Sequence, residues 1–493
     1  MFRFLITLTV ALFSTFNTNA QKAFAFNSNC ATAYNHVMSL KLNEAEKIIE
    51  QELLQNPNNL AAHFINNYID FFILFLTEDN NEFNNRKANK DKRLKLINEA
   101  DDSSPVKGFS KAVIELQWAV VNMKFGNKWA AGWGFRDAFK LANENAKKYP
   151  AFYPNYMLLG PMQMMASTVP SGYKWLSNMM GIKGNLTVGK NNMNAFLNAR
   201  DNWSQFFMNE GIFYYCYIMH YVLNKGSDAL ALIKSKNLDI VNNHLFAYMT
   251  ANLSLNNKQS KQAIQIIQNK NPGNQYYDTP IWDYLLGFAK LYNLQPDANI
   301  YFEKYLAEFK GKFYVKDTWL KLAYHYQVHN NPARYDYAIS QVIAKGSTTA
   351  DADDKAYKEA KAGIKANTIL LKARLLNDGG NNIEAINLLA QHPDAYTDPD
   401  DHLEMLYRSG RIYEDMGRNT DALRFYQHTI NLGSNKTQYF AARAALQSGI
   451  IYENQKNYTK ATEYFNICLK MENHDYKSSL DQKAKMGLQR IGK

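Results

Sequence analysis

Two histidines one helical turn apart, His325 and His329, have the spacing at which a helix can offer two imidazoles to a metal. The residue after His325 is Tyr326, so the glutamate of a hydrolytic zinc helix is missing, and packing or solvent-facing roles account for both rings. Six methionines, Met157, Met162, Met164, Met165, Met179 and Met180, crowd one stretch. Thioethers bind soft copper, but methionine more often fills gaps or lines an apolar surface. With Tyr173 and Trp175 they form a candidate apolar pocket or inserted element. Asp398, Asp400, Asp401 and His402 make an acidic turn that helix N-capping explains, and Asp351, Asp353 and Asp354 have the same explanation. There is no glycine-rich phosphate loop, no C-x-x-C pair and no nucleophile–base set at a telling spacing. The expectation is a protein without catalytic residues, metal or cofactor.

The elements that hold these residues repeat. Leu406, Gly410, Tyr413, Ala422 and Tyr426 form one frame. Ala445, Gly449, Tyr452, Ala461 and Phe465 form the next, 39 residues on. Upstream copies run through Trp319, Leu322, Ala323 and Tyr326, through Leu286, Gly287, Ala298 and Phe302, and through Ala373, Gly380, Ala385 and Leu389. Weaker ones include Ala251, Ala263 and Ile267, Ala119, Gly126, Ala131 and Phe135, and Ala33, Ala45 and Ile49 with Pro57 following. From Ala251 onward the small residues recur at intervals of 36, 36, 50, 37 and 39. Repeats of this length mean stacked helical hairpins, in which small residues let two helices approach and aromatics fill the space around the crossing. The expected fold is all-α, an α-solenoid of stacked antiparallel helix pairs.

The pattern resembles the tetratricopeptide repeat, with Gly410 and Gly449 at the family's small position in helix A, Ala422 and Ala461 at the small position in helix B, and Cys468 near its end. The resemblance implies a superhelix whose A helices line a concave, partner-binding groove. Carried onto this chain, the groove positions are Tyr324 and Gln327, then Arg374 and Asn377, then Tyr407, Arg411 and Glu414, then Arg443, Glu453 and Asn454. Arg374 and Arg411 fall at equivalent positions, and guanidinium groups along a groove suit carboxylates or phosphates.

The 493-residue chain is long enough for a large core. Residues 1–20 read as a cleaved secretory signal: Arg3, an apolar run from Phe4 to Phe16, and a small-residue cut after Ala20. Three widely spaced cysteines make no disulfide framework. Together these features suit a bacterial periplasm or outer-membrane association, and nucleic acid does not fit an exported chain. The formal charge of +11 is spread along the chain, with one concentration at Arg86, Lys87, Lys90, Lys92, Arg93 and Lys95. A solvated helix face explains that run, and an anionic membrane surface is its sharper reading. Residues 21–235 read as an irregular helical region, with a Met-, Pro- and Gly-rich insertion at 150–195, and residues 236–493 as the steadier array. Glu115–Val121, Lys124–Gly126, Val169–Leu176 and Gly181–Gly184 also resemble a block of the inclusion-body-clearance tetratricopeptide family, which implies a membrane-associated role without a catalytic set. The functional expectation is a non-catalytic scaffold or adaptor for a protein or peptide at the cell envelope. The alternative is a glycan or lipid binder that uses the aromatic and Met-rich N-terminal half.

Overall fold

A computed structural model describes residues 22–167 and 184–492. Residues 1–20, expected to be a signal segment, and Tyr173, Trp175, Met179 and Met180 lie outside the described residues. Among those described the fold is all-α, with consecutive helices packed as pairs. In chain order the first eight helices are α1 (Ser28–Val37), α2 (Leu42–Gln55), α3 (Leu60–Thr77), α4 (Asn80–Arg86), α5 (Asn89–Asn98), α6 (Pro105–Lys124), α7 (Lys128–Lys148) and α8 (Pro154–Ser167). Next come α9 (Leu186–Asn198), α10 (Asn202–Phe206), α11 (Met208–Tyr221), α12 (Gly226–Ser235), α13 (His244–Asn256), α14 (Ser260–Asn269), α15 (Ile281–Leu291), α16 (Ala298–Glu308) and α17 (Val315–Val328). The last nine are α18 (Pro332–Ala344), α19 (Asp351–Ala362), α20 (Thr368–Asp378), α21 (Asn382–Gln391), α22 (Pro399–Asp415), α23 (Asn419–Gly433), α24 (Phe440–Asn454), α25 (Tyr458–Lys470) and α26 (Lys477–Arg490).

The N-terminal core is aromatic. Tyr34 meets Tyr68 and Phe207 edge-on and stacks on Phe206, and Phe109 packs against Phe64 and Phe152. α3 is long and apolar enough to cross a membrane by length and composition, yet 72% of it is buried, so it serves as a core helix. Inside this core Glu210 accepts hydrogen bonds from the hydroxyls of Tyr34 (2.8 Å), Tyr68 (2.9 Å) and Tyr214 (2.6 Å). Burial pushes its carboxyl up, and the three hydroxyls pull it back toward the charged form.

A second buried carboxylate accounts for two of the six cations in the basic run at 86–95. Asp70 on α3 holds Arg86 and Arg93, each at 2.5 Å, and accepts from Asn89 at 3.0 Å. Lys90 pairs with Glu115 at 2.8 Å. Only Lys87, Lys92 and Lys95 of the six are exposed, so the run does not form one free basic surface.

In the C-terminal array the small residues sit where helices cross. A Cβ added to Gly287 would lie 2.7 Å from the Phe302 ring, one at Gly410 2.5 Å from Tyr426, and one at Gly449 2.5 Å from Phe465. Gly487 on α26 closes on the other edge of Phe465, also at 2.5 Å. Each glycine therefore admits an aromatic from the partner helix of its hairpin, and Phe302, Tyr426 and Phe465 are fully buried. The array also turns far enough for distant hairpins to meet. Lys258 after α13 pairs with Asp415 at the end of α22, and Ser260 Oγ donates to the Gly379 carbonyl at 2.8 Å. Gly380 makes that approach feasible: it has φ +85°, and a Cβ there would meet the Lys258 carbonyl oxygen at 2.0 Å.

The 50-residue interval between Ala323 and Ala373 has a structural cause. It contains an extra helix, α19, packed against α17 and α18. The expectation that Asp351, Asp353 and Asp354 cap their own helix is corrected for Asp353. Its buried carboxylate accepts from the backbone N–H of Tyr314 (2.7 Å) and Asp317 (3.0 Å), and so caps α17 instead. Asp398 does cap its own helix, α22, accepting from Asp400 N at 2.8 Å.

Candidate partner-binding face

The helices that carry the groove positions, α17, α20, α22 and α24, pack one on the next, and the face they share divides into two parts. The first part is filled. α19 lies across α17, and the Tyr324 hydroxyl donates to Glu359 on α19. Tyr324 is buried, and the Arg374 guanidinium stacks over its ring at 4.8 Å. Gln327 is buried too, and its amide donates to the Ala366 carbonyl (2.6 Å) and the Thr368 hydroxyl (3.2 Å). Asn377 is tied to Asn382 and Asp415, both at 2.8 Å, and receives a bond from Lys258 at 3.2 Å. These side chains join one helix to the next.

Arg374 is the exception within this part. It forms no ion pair among the described residues, and its Nη2 is buried without a hydrogen-bond partner. Burial works against its charge, and Tyr324, Glu359, Asp378 and Glu404 hold the guanidinium above its ordinary range despite that.

α22 marks the transition. Arg411 pairs with Glu414 at 2.9 Å, and Glu414 also accepts from the Tyr426 hydroxyl and from Gln447 at 2.8 Å. The carboxylate thus links α22, α23 and α24. Arg408, on the next turn, is held by Glu404 at 2.8 Å. Of the two guanidiniums at equivalent positions, Arg411 is paired with Glu414 and Arg374 has no ion pair among the described residues.

Beyond α22 more side chains reach solvent, although Tyr407 on α22 is as buried as Tyr324. Tyr407 packs on Phe440 and meets Tyr439 edge-on at 5.8 Å, and Tyr439 meets Tyr476 at 5.3 Å. Tyr476 is largely exposed. Arg443 is partly exposed and has no ion pair or hydrogen-bonded partner among the described residues. Glu453 is paired with Arg490 at 2.6 Å, and Asn454 is exposed. Lys483 on α26, which packs against α24, and Lys355 on α19 are both exposed and both unpaired among the described residues. Burial, then the charges of Arg443 and Lys355, lower the Lys483 ammonium. Lys355, Tyr439, Tyr476 and Lys483 fall outside the repeat frame that located the other groove positions. The extra helix α19 and the terminal helix α26 bring them in, and neither repeats the frame.

The Met-rich candidate lies elsewhere. Met157, Met162 and Met164 are buried between helices, and Met165 is 55% exposed. The three buried thioethers pack among core residues. His325 is buried, with its ring 4.5 Å from His329, and burial with that neighbour pushes it down to about 4. Among the described residues no group of three His, Cys, Asp or Glu side chains is arranged to hold a metal. Cys30, Cys216 and Cys468 are free and buried; burial pushes Cys216 and Cys468 up to about 12. No protein-family model matches this chain, and no curated protein is similar to it.

Proposed function

We propose that the protein is a non-catalytic helical-repeat scaffold of the tetratricopeptide kind, which binds a protein or peptide partner along the concave face of residues 236–493. The observation that carries this reading is the exposed stretch from Tyr439 to Lys483. Tyr439 and Tyr476 meet edge-on there, and Arg443 and Lys483 have no ion-paired or hydrogen-bonded partner among the described residues. Rigid stacked hairpins hold such a surface at little entropic cost on binding. The apolar run and small-residue cut of residues 1–20 support export to a bacterial envelope.

A photo-cross-linking residue placed at Asn454 on the open face, and a control at Ile383, an exposed residue of α21, test this. Adducts formed in envelope extract at Asn454 and not at Ile383 support the reading. Equal capture at both positions refutes it.

One observation favours a second reading, a lipid or glycan contact made by the N-terminal half. Trp129 and Trp133 lie one turn apart on α7, 72% and 49% exposed, with Arg136 over the Trp133 ring at 5.2 Å. Exposed indoles of this kind rest on membrane interfaces or stack on sugar rings. Liposome or glycan binding lost in Trp129→Ala/Trp133→Ala would support it.

A further inference from the structure

The hairpin of α6 and α7 turns at Gly126, which has φ +80° and open space around it, and every residue from Gly126 to Ala130 is exposed. α7 packs on α6 with Gly134 against Ala119, where a Cβ would stand 3.0 Å off, and Ala131 and Ala138 are buried with it. The helical period turns Trp129, Trp133, Arg136 and Lys140 away from that contact, and all four are exposed. Two more helix ends lie beside this one. Ala138 and Met162 are buried together, with Phe139 and Ala166 packed on them, which sets the last turns of α8 beside the N-terminal half of α7. The Asn185 N–H donates to Gln163 Oε1 at 3.1 Å, and a Cβ on Gly189 would lie 2.5 Å from Met164 Cγ, so α9 starts where α8 ends. Met165 on the last turn of α8, and Leu186 and Val188 on the first turn of α9, are exposed there.

Five large apolar side chains of three helices thus reach solvent at one end of the α7–α8–α9 group. Charge at this end is one-sided. α8 and α9 carry no carboxylate, and Lys190 is their only charged residue. Lys128, Arg136 and Lys190 are exposed and have no ion pair among the described residues. Glu144 on α7 lies 4.0 Å from Lys140, which leaves Asp137 as the one exposed carboxylate near the indoles. We propose that this end docks on an anionic membrane surface. Trp129 and Trp133 lie at the level of the headgroups, Leu186 and Val188 enter the acyl boundary, and Lys128, Arg136 and Lys190 meet lipid phosphates. A glycan site would be concave, with polar groups converging on ring hydroxyls, whereas this end projects and offers indoles, aliphatic chains and cations to a flat surface. The inference rests on the reading that Trp129 and Trp133 make an external contact, and it does not involve the partner face.

The test is co-sedimentation of the full chain with vesicles of phosphatidylglycerol and phosphatidylcholine, and with phosphatidylcholine vesicles alone. The anionic vesicles are expected to bind the chain, and the neutral ones to bind it about tenfold or more weakly. Trp129→Ala/Trp133→Ala should weaken anionic-vesicle binding by about tenfold or more, and Lys128→Gln/Lys190→Gln by a smaller factor that vanishes at high salt. All four side chains are exposed, so the variants should keep the wild-type melting temperature, which separates lost docking from lost structure. Brominated lipid should quench part of the tryptophan emission of the wild type, and Trp129→Phe/Trp133→Phe, which keeps ring bulk, should lose that part and keep most of the binding. Three results overturn the inference: no binding of the wild type to anionic vesicles, binding unchanged in Trp129→Ala/Trp133→Ala, or no quenching by brominated lipid. Self-association that depends on the two indoles, without vesicle binding, would assign the surface to a second copy and overturn it as well. If vesicles fail and chitohexaose shifts the emission of the wild type but not of Trp129→Ala/Trp133→Ala, the external contact stands as a glycan site and only the membrane falls.

Discussion

The helix face from Tyr324 to Asn377 and the helix face from Tyr439 to Lys483 belong to the same array and end up chemically different. In the first, a helix absent from the repeat covers the surface. In the second, polar side chains stay open and some cations stay unpaired. The difference comes from one insertion. α19 places Glu359 on the Tyr324 hydroxyl and Asp353 on the N-terminus of α17, so that groove positions become interior positions. A repeat frame locates side chains on a helix face. It does not say whether something later in the chain will cover that face.

The largest expected effect breaks the covered half. Asp353→Ala leaves two buried N–H groups, those of Tyr314 and Asp317, without their acceptor, and should cost about 3 kcal/mol. Chemical denaturation measures that loss, and hydrogen exchange should show α17 and α19 losing protection first.

The next effect addresses the frame that both halves share. Gly449→Ala drives a Cβ to 2.5 Å from the fully buried Phe465 ring and should cost about 2 kcal/mol. Gly287→Ala, against Phe302 in the other half, should cost a similar amount. Equal losses in the two halves would show that the helix-crossing device is common to them and that only the covering differs.

Acid titration should separate them further. Burial, reinforced by His329, pushes folded His325 down to about 4, while an unfolded histidine takes its proton near 6.5. The unfolded chain therefore binds more protons between those values. The stabilising contribution is complete above about pH 6.5 and is lost as pH falls toward 4. Thermal melts should show the acid-side fall in melting temperature becoming shallower in His325→Phe. The smallest effect belongs to the open half: Arg443→Gln should change stability by less than about 0.5 kcal/mol, because no ion pair is lost.

The all-α class and the hairpin pairing were legible from the spacing of Gly287, Gly410 and Gly449 and the aromatics that follow them. So was the helix cap at Asp398. The burial of Tyr324 was not legible, because it depends on α19, whose only trace in the sequence is the long interval between Ala323 and Ala373. The split of the basic run at 86–95 depends on Asp70, a carboxylate on another helix that nothing local to the run announces. Cations at Lys355 and Lys483 belong to helices that do not repeat, so periodicity could not reach them. Local spacing reports a residue's position along its own helix, and which helices converge is decided by other parts of the chain.

Partner capture by paired variants tests the contrast most directly. Arg443→Glu/Lys483→Glu reverses the charge of the open face, and Tyr324→Phe removes a hydroxyl from the covered one. With a cross-linker at Asn454, adduct formation should disappear in the first variant and persist in the second. Loss of capture in Tyr324→Phe with capture retained in Arg443→Glu/Lys483→Glu would contradict the account.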